Sequence, residues 1–164
     1  MMKSACQFLI GSTLVLATAA ASAATVTKPL TISAMIQERV GPSLRCPSQF
    51  GGVITGQADS ALLGRAVVIG TDCITPSGPL FNFSRGKMII VSTTGEQIYA
   101  DYSGQFVPTG EGAKYVFSGA TFQVTGGTGR YFRATGGGTL NGFEDMVTGL
   151  GKAELTGTIS YNGW

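Results

Sequence analysis

The chain contains no histidine, and that absence bounds its chemistry more tightly than any motif present. It removes the usual general base near neutral pH and both the Ser-His and Cys-His nucleophile pairs. Any catalysis must therefore rest on carboxylates, tyrosine, lysine or arginine. Charge is also scarce: Asp, Glu, Lys and Arg make up 12% of the residues, 11 basic against 9 acidic. Such a balance gives no footprint for nucleic acid and no attraction to an anionic membrane surface. Long apolar runs are missing too. The strongly apolar stretch Phe8 to Ala20 covers 13 residues, against roughly 20 needed to cross a bilayer as a helix, so no membrane insertion is expected. No segment beyond it supports a helix of normal length.

That N-terminal stretch reads instead as an export signal. Lys3 supplies the positive end, Phe8 to Ala20 the apolar run and Ala21-Ser22-Ala23 a small-residue cleavage site, which predicts removal of residues 1–24 and a secreted or periplasmic protein. Cys6 precedes the apolar run, where a lipid-modified cysteine would follow it. Residues 25–164 then form one domain with a net charge of +1, ten basic residues against nine acidic, and enough chain for a proper core. Cleavage leaves two cysteines, Cys46 and Cys73, in a compartment that permits disulfides, and they are expected to pair. Two cysteines without histidine do not make a zinc shell, and neither a metal nor a cofactor is expected.

What is abundant is β-forming sequence and glycine. Short apolar or alternating segments recur at Leu30–Ile36, Phe50–Ala58, Leu63–Asp72, Leu80–Phe83, Lys87–Thr93, Gln97–Phe106, Tyr115–Val124, Gly138–Gly142 and Lys152–Tyr161. Turn signals such as Pro76-Ser77-Gly78-Pro79, Ser84-Arg85-Gly86 and Thr94-Gly95 separate them; Thr25–Pro29 reads as a flexible lead and Gln37–Ser48 as a loop. This punctuation points to an antiparallel all-β sandwich or barrel. Several of the 25 glycines, among them Gly52, Gly56, Gly70, Gly104, Gly119 and Gly157, fall inside the β segments. Strand-interior glycine marks bulges, sharp coiling or close backbone approach, the devices that curl a sheet until its edges meet, so a closed barrel is favoured. In Gln97–Phe106, Ile98, Ala100 and Tyr102 oppose Tyr99, Asp101 and Ser103; in Lys152–Tyr161, Ala153, Leu155, Gly157, Ile159 and Tyr161 oppose the polar set. One face packs and the other is wet, whichever of them lines the inside.

The stretch Phe122 to Leu140, FQVTGGTGRYFRATGGGTL, carries a glycine cluster that could be taken for a nucleotide-binding turn. The fingerprint wants a small residue three positions after Gly129, where Phe132 stands, and a long helix next, which Gly136, Gly137 and Gly138 would break. Dinucleotide binding is set aside in favour of a structural turn built on Gly126, Gly127, Thr128, Gly129 and Gly136.

Those residues also carry a resemblance. Gly126-Gly127-Thr128-Gly129 followed by Tyr131, Ala134 and Gly136 resembles the GGTG-x-F-x-x-A-x-G pattern of dirigent proteins and allene oxide cyclases. It is closer still to bacterial secreted proteins of that barrel superfamily, in which an arginine at the Arg130 position is usual. The segments around Cys46-Pro47, Leu63-Gly64-Arg65, Asp72-Cys73 and Gly157 to Tyr161 are similar as well. The resemblance implies an eight-stranded antiparallel β-barrel with a central cavity. It does not carry an activity over, because the family's cavity residues lie outside the glycine corner and do not align to named positions here.

Few residues stand out as candidates for function. Asp101 is a catalytic candidate if its face looks inward. The adjacent Glu144-Asp145 pair would point to opposite faces in a strand. Arg130, Tyr131, Phe132 and Arg133 could form an anion or aromatic-ligand site at a barrel mouth, or else plug that end. Three functions are expected in turn: a non-catalytic barrel that binds an apolar or aromatic small molecule or acts as a scaffold; a cyclase or isomerase using cavity carboxylates; and a structural or self-associating envelope protein, with homo-oligomerisation left open. The volume and lining of the interior discriminate among them. An apolar, ligand-sized lumen holding one buried carboxylate with a raised pKa favours the cyclase, and a lumen filled with side chains counts against both cavity readings and leaves the structural protein.

Overall fold

Eight antiparallel strands pair in chain order and close on themselves, β8 returning to β1. The computed structural model describes residues 24–163, so the expected export signal lies, but for Ala24, outside the described residues. The strands are β1 (Thr25–Pro42), β2 (Phe50–Ser60), β3 (Gly64–Ser77), β4 (Leu80–Ser92), β5 (Gln97–Pro108), β6 (Lys114–Gly127), β7 (Thr135–Asp145) and β8 (Leu150–Asn162), with one short 3₁₀ turn at Gly129–Tyr131. Among the described residues no helix is long and apolar enough to cross a membrane.

Alternation decides which face is which. Leu30, Ile32, Ala34 and Ile36 of β1, Ala66 and Val68 of β3, Ile98, Ala100 and Tyr102 of β5, and Ala153, Leu155, Ile159 and Tyr161 of β8 are all buried and join one core. The packed face is therefore the inside, and side chains fill it. Strand-interior glycine works as the composition implied. A Cβ on Gly104 would come within 2.6 Å of the Phe83 ring and collide with Ala120. Register shifts at Thr71/Cys73, Phe83/Gly86, Ser103/Gln105 and Val116/Thr121 run across neighbouring strands, bending the sheet towards one end.

Four segments differ from the sequence reading. Thr25–Pro29 is not a free lead but pairs with β8, from Thr25 opposite Asn162 onward. Gln37–Pro42 continues β1 rather than opening a loop, because its partners in β2 extend the ladder past the point where Gly41 and Pro42 signal a turn. Ser84-Arg85-Gly86 is a bulge within one long β4, not a turn between two strands. Gly136 belongs to β7, paired with Val124 and Ile159, instead of standing in the turn. Of the expected turn set, Gly126, Gly129 and Gly136 adopt positive φ. Gly127 does not; glycine is needed there because a Cβ would lie 2.7 Å from the Tyr131 Cβ.

The two ends of the barrel differ. One is stopped by Tyr131, fully buried against Tyr161 with ring centroids 5.0 Å apart. The other carries the β1–β2 loop, tied down by the expected Cys46–Cys73 disulfide.

Candidate functional site

The barrel interior becomes acidic at its disulfide end. Counting inward positions by two along β1 leads from Leu30 to Glu38; the same step leads from Ala66 to Asp72 on β3, from Ile98 to Tyr102 on β5 and from Leu140 to Glu144 on β7. Four polar side chains from the four odd-numbered strands thus meet at one level. Glu38, Asp72 and Glu144 are only 4%, 1% and 2% exposed. Gly52 makes room for them: a Cβ there would overlap the Glu38 carboxyl and lie 3.0 Å from Asp72 Oδ1.

Asp72 is the best satisfied of the three. It accepts from the Gly52 backbone N–H at 3.2 Å and from the Tyr102 hydroxyl at 3.1 Å. Both oxygens of Glu38 and Oε2 of Glu144 receive no N–H or O–H from neighbouring residues. A proton resolves this, since carboxyl groups in contact inside an apolar wall cannot all ionise. Burial, then the charges of Asp72 and Glu144, push Glu38 up to about 10. Burial pushes Glu144 up to about 7, with Glu38 opposing as a hydrogen-bond partner. Asp72 is raised by burial as well, held back by its bonds from Tyr102 and Gly52 and by the exposed Arg45. Burial beside two acids raises Tyr102. At neutral pH Glu38 is therefore a carboxylic acid, able to donate a hydrogen bond.

Above the acids lies an aromatic wall. Phe83 and Phe106 sit 4.7 Å apart, Phe106 and Phe117 5.4 Å, and Phe83 and Tyr102 6.0 Å between centroids. Acids and rings enclose a cavity of about 30 Å³, shared with Met88, Leu140 and Leu155. That holds water and little else; a cavity accepts one at roughly 10–15 Å³ of such space. Among the described residues no group of three His, Cys, Asp or Glu side chains is placed to hold a metal ion.

Of the candidates named from the sequence, Glu144 belongs to this cluster and the others lie elsewhere. Asp101 is on the outer face of β5, where it accepts two hydrogen bonds from Lys87 Nζ, each 2.8 Å; it is not a cavity carboxylate, because the inward positions of β5 fall on its neighbours Ala100 and Tyr102. Arg130, Tyr131, Phe132 and Arg133 divide between the barrel plug and the outer surface. Tyr131 plugs the barrel, Arg130 lies over its ring at 5.0 Å with Nε 3.3 Å from Glu96 Oε2, and Phe132 and Arg133 stack on each other outside. Glu144 and Asp145 do point to opposite faces, Glu144 inward and Asp145 into the β7–β8 turn, where it accepts from Val147 and Thr148. Glu38 and Asp72 were not singled out, although counting by two from Leu30 and Ala66 reaches both. No family model matches the chain, and no curated protein matches it.

Proposed function

We propose that this is an exported, non-catalytic barrel of the allene oxide cyclase and dirigent type that takes a small apolar or aromatic molecule into the acid-lined end of its lumen. The observation that carries the reading is the burial of three carboxyl groups and a tyrosine against phenyl rings with no cation among them. A core built only for stability does better with apolar side chains at such positions, whereas perturbed acids grouped beside a cavity are a mark of binding sites. In the bound state Glu38 donates its proton to an acceptor on the guest, and the rings cover the rest. Entry requires the half-buried Phe117 to swing away, since the resting cavity of about 30 Å³ is far below the roughly 300 Å³ at which ligand pockets begin. The same small volume counts against both cavity readings, binding and cyclase alike, and the binding reading rests on the acid cluster alone. The packing sense of the strands, apolar inward with Lys152, Glu154, Thr156 and Thr158 outward on β8, is opposite to that of a lipid-facing barrel. Titration with phenol followed by NMR tests the reading: resonances of Phe106, Phe117 and Leu140 are expected to move together at pH 6. Shifts confined to the outer surface, or none, would overturn it.

A structural, self-associating barrel is the second reading, and the filled lumen favours it. Its contact face would be the outward block in which Val67 pairs with Val91 and Ile69 with Ile89, all set in the β3–β4 ladder. Sedimentation should then show a mass that rises with concentration and falls to the monomer in Ile69→Lys; a wild-type monomer throughout excludes it.

A further inference from the structure

A groove of about 790 Å³ lies outside the barrel at the bulges of β4 and β5, lined in part by Arg45, Arg85, Lys87, Asp101, Ser103 and Gln123. Three of those six side chains are cationic and one is acidic. Asp101 is already bound by Lys87, while among the described residues neither Arg45 nor Arg85 has a carboxylate within ion-pair distance. The two arginines are held together: Arg45 Nη1 donates to the Arg85 carbonyl at 3.1 Å, which fixes one guanidinium beside the residue that carries the other.

The backbone at Arg85 gives a second, independent observation. Its φ is +52°, in the left-handed region, where a side chain is strained and glycine is not. Among the described residues glycine occupies twelve of the fifteen positions with positive φ, so this chain ordinarily meets that need with glycine. An arginine in this conformation, at a bulge that lines the groove, is an outlier that points to a role for its side chain there, while Gln49 and Arg133 are the other two such residues.

We propose that this groove is an anion-binding site for a small molecule bearing a carboxylate or phosphate group. Guanidinium pairs match the oxygens of either group with paired hydrogen bonds, and Ser103 and Gln123 offer hydroxyl and amide contacts to a polar flank of the ligand. Lys87, neutralised by Asp101, shapes the wall and adds little net charge. The site stands whether or not the lumen ever admits a guest.

Calorimetric titration at low ionic strength tests it, using inorganic phosphate, acetate and glucuronate, with glucose as the neutral control. At least one of the anions is expected to bind with an affinity that weakens as sodium chloride is added, phosphate alone or the carboxylates alone identifying the group. Arg45→Ala should weaken binding at least tenfold. Arg85→Gly should weaken it equally while raising Tm by about 2 °C, because the left-handed strain is removed. A purely structural Arg85 would show no coupling of lost binding to gained stability. Wild-type heats indistinguishable from those of glucose, or an Arg85→Gly variant that binds as wild type, would overturn the proposal.

Discussion

At the scale of single residues, the interior is marked by polar atoms that do not all find partners. Tyr131 illustrates the cheaper kind. Its ring is the plug of one barrel end, fully buried, yet among the described residues its hydroxyl has no hydrogen-bond partner, and burial raises its pKa. Removing only the hydroxyl relieves a desolvated group without opening a cavity. Tyr131→Phe is therefore expected to unfold at the same or slightly higher denaturant concentration, a gain of up to about 1 kcal/mol, whereas Tyr131→Ala should lose about 3–5 kcal/mol through the void it leaves. Equilibrium denaturation of the two variants checks both; a marked loss in Tyr131→Phe would mean that the hydroxyl is satisfied in solution.

At the scale of elements, the disulfide and the bulges act on the same end of the barrel. Cys46 anchors the β1–β2 loop to Cys73, the neighbour of Asp72 on β3, so the cross-link also holds the backbone that frames the acids. For a closed loop of about 28 residues the chain-entropy treatment gives roughly 3–4 kcal/mol. The double variant Cys46→Ala/Cys73→Ala should thus melt roughly 10 °C lower, using a few degrees per kcal/mol for a domain of this size, as read by calorimetry; an unchanged Tm would show that the loop is held without the bond. The pairing itself was legible from cysteine counting. The length of β1 was not, because Gly41 and Pro42 are loop signals in isolation and the ladder to β2 overrides them. That single boundary hid Glu38.

At the scale of the whole molecule, the acid cluster ties stability to pH. Glu38 and Glu144 are raised from 4.5 to about 10 and about 7, and Asp72 is raised from 3.8, so the folded protein holds protons that the unfolded chain has released. A raised folded-state pKa gives stability that is complete below the unfolded value and is lost as pH climbs to the folded one. The barrel should be most stable near pH 4, weaken through pH 7 as Glu144 ionises, and weaken further towards pH 10 as Glu38 follows. Glu38→Gln keeps the shape of the protonated acid and should flatten the alkaline part of that decline. Melting curves from pH 4 to pH 9 decide the matter; stability that rises with pH would refute the shared-proton account.

Composition and alternation alone determined that the chain is all-β, that glycine lets the sheet curl, that two cysteines join, and that no histidine chemistry is available, because each of these follows from local propensity or from counting. Only the tertiary structure decided that the apolar face lines the inside and fills it, that Asp101 stands outside with Lys87, and that Glu38, Asp72, Tyr102 and Glu144 share one level of the lumen. The physical reason is closure. Asp72 and Tyr102, 30 positions apart, Glu38 and Asp72, 34 apart, and Glu38 and Glu144, 106 apart, become neighbours only when β1, β3, β5 and β7 are brought around a common axis, and their pKa values are set by that neighbourhood and not by the residues themselves.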